Sequence, residues 1–115
     1  LEFRRVLFRS WVKITSQTDE ILAHEQGHFD LTEAYARSFR KLFSETTFHK
    51  DSLQTEITKI YMQVNKDLDV DQHLYDAETS YSRKTEKQNA WLKKIFMKLE
   101  DLKDYQNTIV SLKLK

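Results

Sequence analysis

Apolar residues recur in steps of three and four along most of this chain. Ile21, Leu22, Phe29, Leu31, Tyr35, Phe39, Leu42 and Phe43 form a first run, whose spacing is helical and covers more than one face. It predicts a helix from about Thr18 to Glu45. Ser16 followed by Asp19 resembles a capping box at its start, with Asp in place of the usual Glu. The polar stretch Thr46 to Lys50 reads as a loop. A second stripe, Leu53, Ile57, Ile60, Val64, Leu68 and Tyr75, predicts a helix from about Asp51 to Ser80. The pattern breaks at Tyr81 to Lys84. Thr85 with Gln88 gives a second capping-box signal, and Trp91, Ile95, Leu99 and Leu102 mark a third helix ending near Tyr105. Val110, Leu112 and Leu114 alternate with polar residues, which predicts a terminal strand. Trp11 to Ile14 is short and β-branched and reads as another. The expected fold is therefore α+β and mostly helical, with three helices between short terminal strands.

Composition supports long helices. The 115 residues include no proline and one glycine, so the usual helix breakers are missing. There is also no cysteine, which excludes disulfides and thiolate ligands. No apolar run is long enough to span a membrane. Leu1 to Ser10, LEFRRVLFRS, resembles the in-frame translation of a sequencing adapter and is set aside from fold reasoning. On that reading residues 11–115 are the natural domain, truncated ahead of Trp11. Without the segment the chain has 16 basic and 17 acidic residues, a net charge of −1. Mixed charges of that kind leave no electrostatic footprint for nucleic acid.

Candidate chemistry lies in the first helix, within ILAHEQGHFDLTEAYAR, Ile21 to Arg37. His24 and His28 are four residues apart, one helical turn, so both imidazoles can approach one cation. Glu25 sits where its carboxylate can take a proton from a water activated by that cation. This is the HExxH arrangement of zinc hydrolases, with Zn2+ as the expected cofactor. The single glycine, Gly27, lies inside the motif. Glycine costs about 1 kcal/mol relative to alanine in mid-helix, which points to a close neighbour at that position.

HEQGHFD followed by Ala34 to Arg37 resembles a family of bacterial proteins, domain-of-unknown-function family 922, regarded as secreted zinc-dependent proteases. Tyr75, Asp76, Thr79, Gln88 and Trp91 match the tail pattern of that family, and Trp11 and Val12 also fit. The resemblance runs from about Trp11 to Tyr105. It implies a zincin-like metallopeptidase domain that acts on a peptide or protein substrate, secreted or periplasmic in the full-length protein. One departure stands out: Tyr81 and Ser82 replace the His-Gly of many members.

Catalytic zinc usually takes a third protein ligand. Asp76, part of the matched Tyr-Asp pair, is the candidate, with Glu78 and Tyr81 as alternatives. A helical wheel does not separate the two acids, which flank the apolar stripe on opposite sides. Asp30 reads either as a hydrogen-bond partner of a ligand histidine or as an N-terminal loop contact. His49 and His73 read as surface residues. Tyr35 reads as a core aromatic, with support of an oxyanion as the alternative, and Arg37 as the partner of an acid on the second helix. The competing class is a non-enzymatic helical interaction module whose HExxH is incidental or structural. A family member that has lost activity through Tyr81 is a further alternative.

Overall fold

The computed structural model describes residues 19–115. The segment set aside, the Trp11–Ile14 strand and the Ser16 cap therefore lie outside the described residues. Three helices carry the fold: α1 (Asp19–Glu45), α2 (Leu53–Thr79) and α3 (Thr85–Asp101). Short 3-10 turns at Lys50–Ser52 and Lys103–Tyr105 precede α2 and follow α3. Two-residue strands β1 (Thr47–Phe48) and β2 (Lys113–Leu114) pair in parallel, Thr47 opposite Lys113 and Phe48 opposite Leu114. The fold is α+β and mostly helical, as the pattern predicts. No helix among the described residues is long and apolar enough to cross a membrane.

Helix α1 opens with Asp19 and Glu20 against the positive end of its dipole. It closes without a glycine: the Thr46 backbone N–H and hydroxyl both donate to the Leu42 carbonyl. The buried stripe of α1 is His24, Gly27, Leu31, Ala34 and Arg37, in steps of three and four. It faces the α3 stripe of Gln88, Trp91, Ile95 and Leu99, and Tyr75 and Thr79 from α2. Leu31, Ala34, Tyr75, Trp91, Ile95 and Leu99 form one apolar cluster, with Tyr35 and Leu68 packed against it.

The loop expected over Thr46 to Lys50 contains β1, and the terminal strand is shorter than the alternation from Val110 suggests. Phe48 anchors this ladder: its side chain is fully buried and its carbonyl accepts from the Lys115 N–H at 2.8 Å. The capping box expected at Thr85 is not formed. Lys84 is the cap residue, without a side-chain bond, and Gln88 turns into the interior instead.

The α2–α3 connection is strained. Ser80, Tyr81 and Ser82 all have positive φ, at 47°, 56° and 84°. The backbone closes α2 through Tyr81 N–H to the Asp76 carbonyl and Lys84 N–H to the Thr79 carbonyl, both at 3.0 Å. Left-handed geometry costs an L-residue about 1–2 kcal/mol, and the chain's one glycine is used elsewhere.

Arg37 does not pair with an acid of α2. Its Nε donates to Glu33 on its own helix at 2.8 Å, and its guanidinium caps the Leu99 carbonyl of α3 at 2.7 Å. Arg40 also reaches Glu33, and donates to the Tyr105 carbonyl. One carboxylate thus organises two guanidinium groups that tie α1 to the end of α3. Burial alone would raise the Glu33 carboxyl, but the hydrogen bonds and charges of Arg37 and Arg40 hold it below the usual range.

Candidate metal centre

His24 and His28 stand one turn apart on α1, and both face α2. Asp76 Oδ1 lies 2.7 Å from His24 Nε2 and 2.6 Å from His28 Nε2. His24 is almost fully buried, while His28 and Asp76 remain partly open to solvent at one side. Burial disfavours the Asp76 carboxylate, but its bonds to His24 and His28 and their charges more than reverse this, so its pKa lies below the ordinary value.

Tyr75 builds the wall behind the histidines. Its ring stacks on His24 at 4.4 Å between centroids and meets His28 edge-on at 4.8 Å. Its hydroxyl donates to the His24 carbonyl at 2.9 Å. Burial, and then the charges of Asp76, Glu25 and Asp30, push that hydroxyl's pKa up, so it stays a donor. Gly27 is what admits this ring: a Cβ there would overlap the Tyr75 hydroxyl, lie 2.8 Å from Tyr75 Cζ and 2.9 Å from a Leu92 methyl. The close neighbour implied by the lone glycine is therefore Tyr75.

The outer imidazole nitrogens are also engaged. His24 Nδ1 lies 3.0 Å from Gln88 Oε1, with Thr79 Oγ1 beyond it at 3.4 Å. His28 Nδ1 contacts Gln72 Oε1. Gln72 does not stand out by pattern, and Gln88 matches the family's tail pattern but reads as a helix cap. The further signals are that Gln72 lies one turn before Asp76, and that Gln88 falls in register with Trp91, Ile95 and Leu99 on the buried face of α3.

The remaining candidates separate clearly. Glu25 follows His24 with an exposed side chain, and its charge acts on Tyr75. Glu78 accepts from the Trp91 indole N–H at 2.7 Å, which holds α2 to α3. Tyr81 is exposed on the strained turn. Asp30 accepts from Gln26 within α1 at 3.1 Å. The Tyr35 hydroxyl donates to Asp71, and its ring lies 4.0 Å below the Lys98 ammonium. His49 and His73 are on the surface, paired with Glu56 and Asp69.

His24, His28 and Asp76 each offer one ligand atom, and these atoms lie within 4.8 Å of one another, so the group can hold a metal ion. Two imidazole nitrogens and a carboxylate oxygen suit a borderline divalent cation such as zinc. A cation is also electrostatically apt at a point where a carboxylate and two imidazoles converge.

A family model described as "Bacterial protein of unknown function (DUF922)" matches residues 7–83, more than half of the chain. No curated protein and no solved structure matches it.

Proposed function

The chain belongs to this bacterial family of unknown function, and from that premise we propose that it is the metal-binding part of a zinc-dependent peptidase. The observation that carries the reading is the convergence of both HExxH histidines on one oxygen of Asp76, at 2.6 and 2.7 Å. His24, His28 and Asp76 would hold the ion, and the partial exposure of His28 and Asp76 would let water reach it.

When bound, zinc would supply Lewis-acid polarisation and lower the pKa of a bound water toward about 7. Glu25 is the general base. It follows the first ligand directly and is exposed, so its carboxylate can accept the water's proton and return it to the leaving amine. The Tyr75 ring shields the rear of both imidazoles and orients them. On this reading the substrate is a peptide or protein, and the complete protein is secreted or periplasmic.

A second reading keeps the metal but assigns it a structural role. It is favoured by the small sheet: the described strands have two residues each, little for an extended substrate to pair with. Glu25→Gln separates the readings. A peptidase variant keeps its zinc and loses hydrolysis of a casein substrate, whereas retained hydrolysis overturns Glu25 as base. If the wild-type chain binds zinc but leaves casein intact, and the complete gene product does the same, the structural reading stands.

A further inference from the structure

We propose that Gln72 and Gln88 are positioning residues: each accepts the Nδ1–H of one ring, His28 or His24, so that Nε2 of both rings is the atom turned toward Asp76 and presented to the metal. The inference rests on the metal reading above, but its chemistry is fixed by neighbours that have no part in coordination.

The amide of Gln88 can sit only one way round. Its Nε2 donates to the Glu20 carbonyl at 2.9 Å, and a carbonyl only accepts. Its Oε1 must therefore face His24 Nδ1, 3.0 Å away, so that nitrogen carries the hydrogen. Gln88 and His24 are 3% and 2% exposed, so water does not compete for the bond.

Gln72 reaches the same result from another helix. Its Nε2 donates to the His28 carbonyl at 3.3 Å and to Thr32 Oγ1 at 3.0 Å. Thr32 spends its own hydrogen on the His28 carbonyl at 3.0 Å, so toward Gln72 it accepts. Gln72 Oε1 then accepts from His28 Nδ1–H.

Two independent carboxamides, one on α2 and one on α3, thus hold two histidines of α1 in the same orientation, Nδ1–H to the amide and Nε2 to Asp76. Asp76 Oδ1 only accepts, so without a metal it draws hydrogen to the Nε2 of both rings; a cation held at Nε2 would replace that hydrogen and leave the Nδ1–H on its amide. Both rings thus already present Nε2 to the site. Glutamine also differs from the carboxylate often found in this place. It orients the ring without adding negative charge, so Asp76 supplies the only anionic ligand atom.

The test is nitrogen NMR of 15N-histidine-labelled chain at pH 8, metal-free and with one equivalent of zinc, beside zinc affinity by calorimetry. In the zinc-bound state His24 and His28 are expected to show protonated, pyrrole-type Nδ1 signals. Gln88→Met should change the His24 ring signals and Gln72→Met those of His28, each lowering zinc affinity about 10–100-fold. Should one variant fail to fold, the other and the wild-type spectra still decide. An unprotonated Nδ1 in the zinc-bound wild-type chain overturns the proposal, as does a folded variant with unchanged ring signals and affinity. A chain that binds no zinc refutes the metal reading, and the change in ring signals on Gln88→Met and Gln72→Met then decides the glutamine contacts alone.

Discussion

Tyr75 occupies the space that a side chain on residue 27 would need. The bare backbone at Gly27 lets the tyrosine ring lie against both HExxH histidines and hydrogen-bond the His24 carbonyl. An alanine in mid-helix normally stabilises by about 1 kcal/mol relative to glycine. Here its Cβ would meet a rigid ring, and overpacking costs about 1–3 kcal/mol. Gly27→Ala should therefore lower the urea midpoint, not raise it. It should also weaken metal binding, because Asp76 follows Tyr75 directly. In a double-mutant cycle with Tyr75→Phe the two changes should couple by about 0.5–3 kcal/mol. Additive changes would remove this explanation of the glycine.

Glu33 predicts a pH dependence. Its folded pKa is depressed, so it releases its proton more readily in the native state than in the unfolded chain. The resulting stability is present above the unfolded value of about 4.3 and is lost as pH falls through the lower folded value. Glu33→Ala should cost about 3 kcal/mol at neutral pH, because Arg37 stays buried without its carboxylate. The variant should also lose part of the wild-type stability decline below pH 4.3. Urea unfolding from pH 3 to 7 measures both effects.

The turn after α2 offers a stabilising substitution. Tyr81 is exposed with φ of 56°, and glycine adopts that conformation without the penalty of a Cβ. Tyr81→Gly should raise stability by about 1 kcal/mol and, on the proposal that Asp76 is the third ligand, leave zinc affinity unchanged. A large loss of affinity would instead give the phenol a place in the metal site.

The three helices were legible because their apolar residues recur in steps of three and four over long runs. Their buried faces were less so. On α1 the innermost stripe is His24, Gly27, Leu31, Ala34 and Arg37, which a count of large apolar residues passes over. Ile21, Leu22 and Phe29 are only half-buried. Strand β1 was missed because two residues carry no period and its partner lies at the far end of the chain. Arg37 was assigned an acid on α2 because sequence does not reveal that the α3 carbonyl of Leu99 is within reach.

The motif residues His24, Glu25 and His28 could be named from spacing alone, and the family resemblance favoured Asp76 over Glu78. Periodicity could not separate those acids, because both flank the stripe. The indole of Trp91 makes the distinction by engaging Glu78. Gln88 was read as a helix cap since it sits three residues after Thr85. Only the packing of α3 on α1 shows that its amide spans from Glu20 to His24.

If the metal binds only the folded chain, zinc at a hundredfold excess over its Kd should raise unfolding free energy by about 2.7 kcal/mol. A chelator should remove that increment. His28→Ala should unfold at the same temperature with zinc or chelator present. A zinc-dependent shift that survives this substitution would place the ion elsewhere.

The most direct measurement is calorimetric titration of the metal-free chain with zinc, for wild type and for Asp76→Ala. One equivalent should bind per wild-type chain, and binding should be lost or greatly weakened when Asp76 is removed. Absence of binding in the wild type, or equal affinity in the variant, would contradict a centre built from His24, His28 and Asp76.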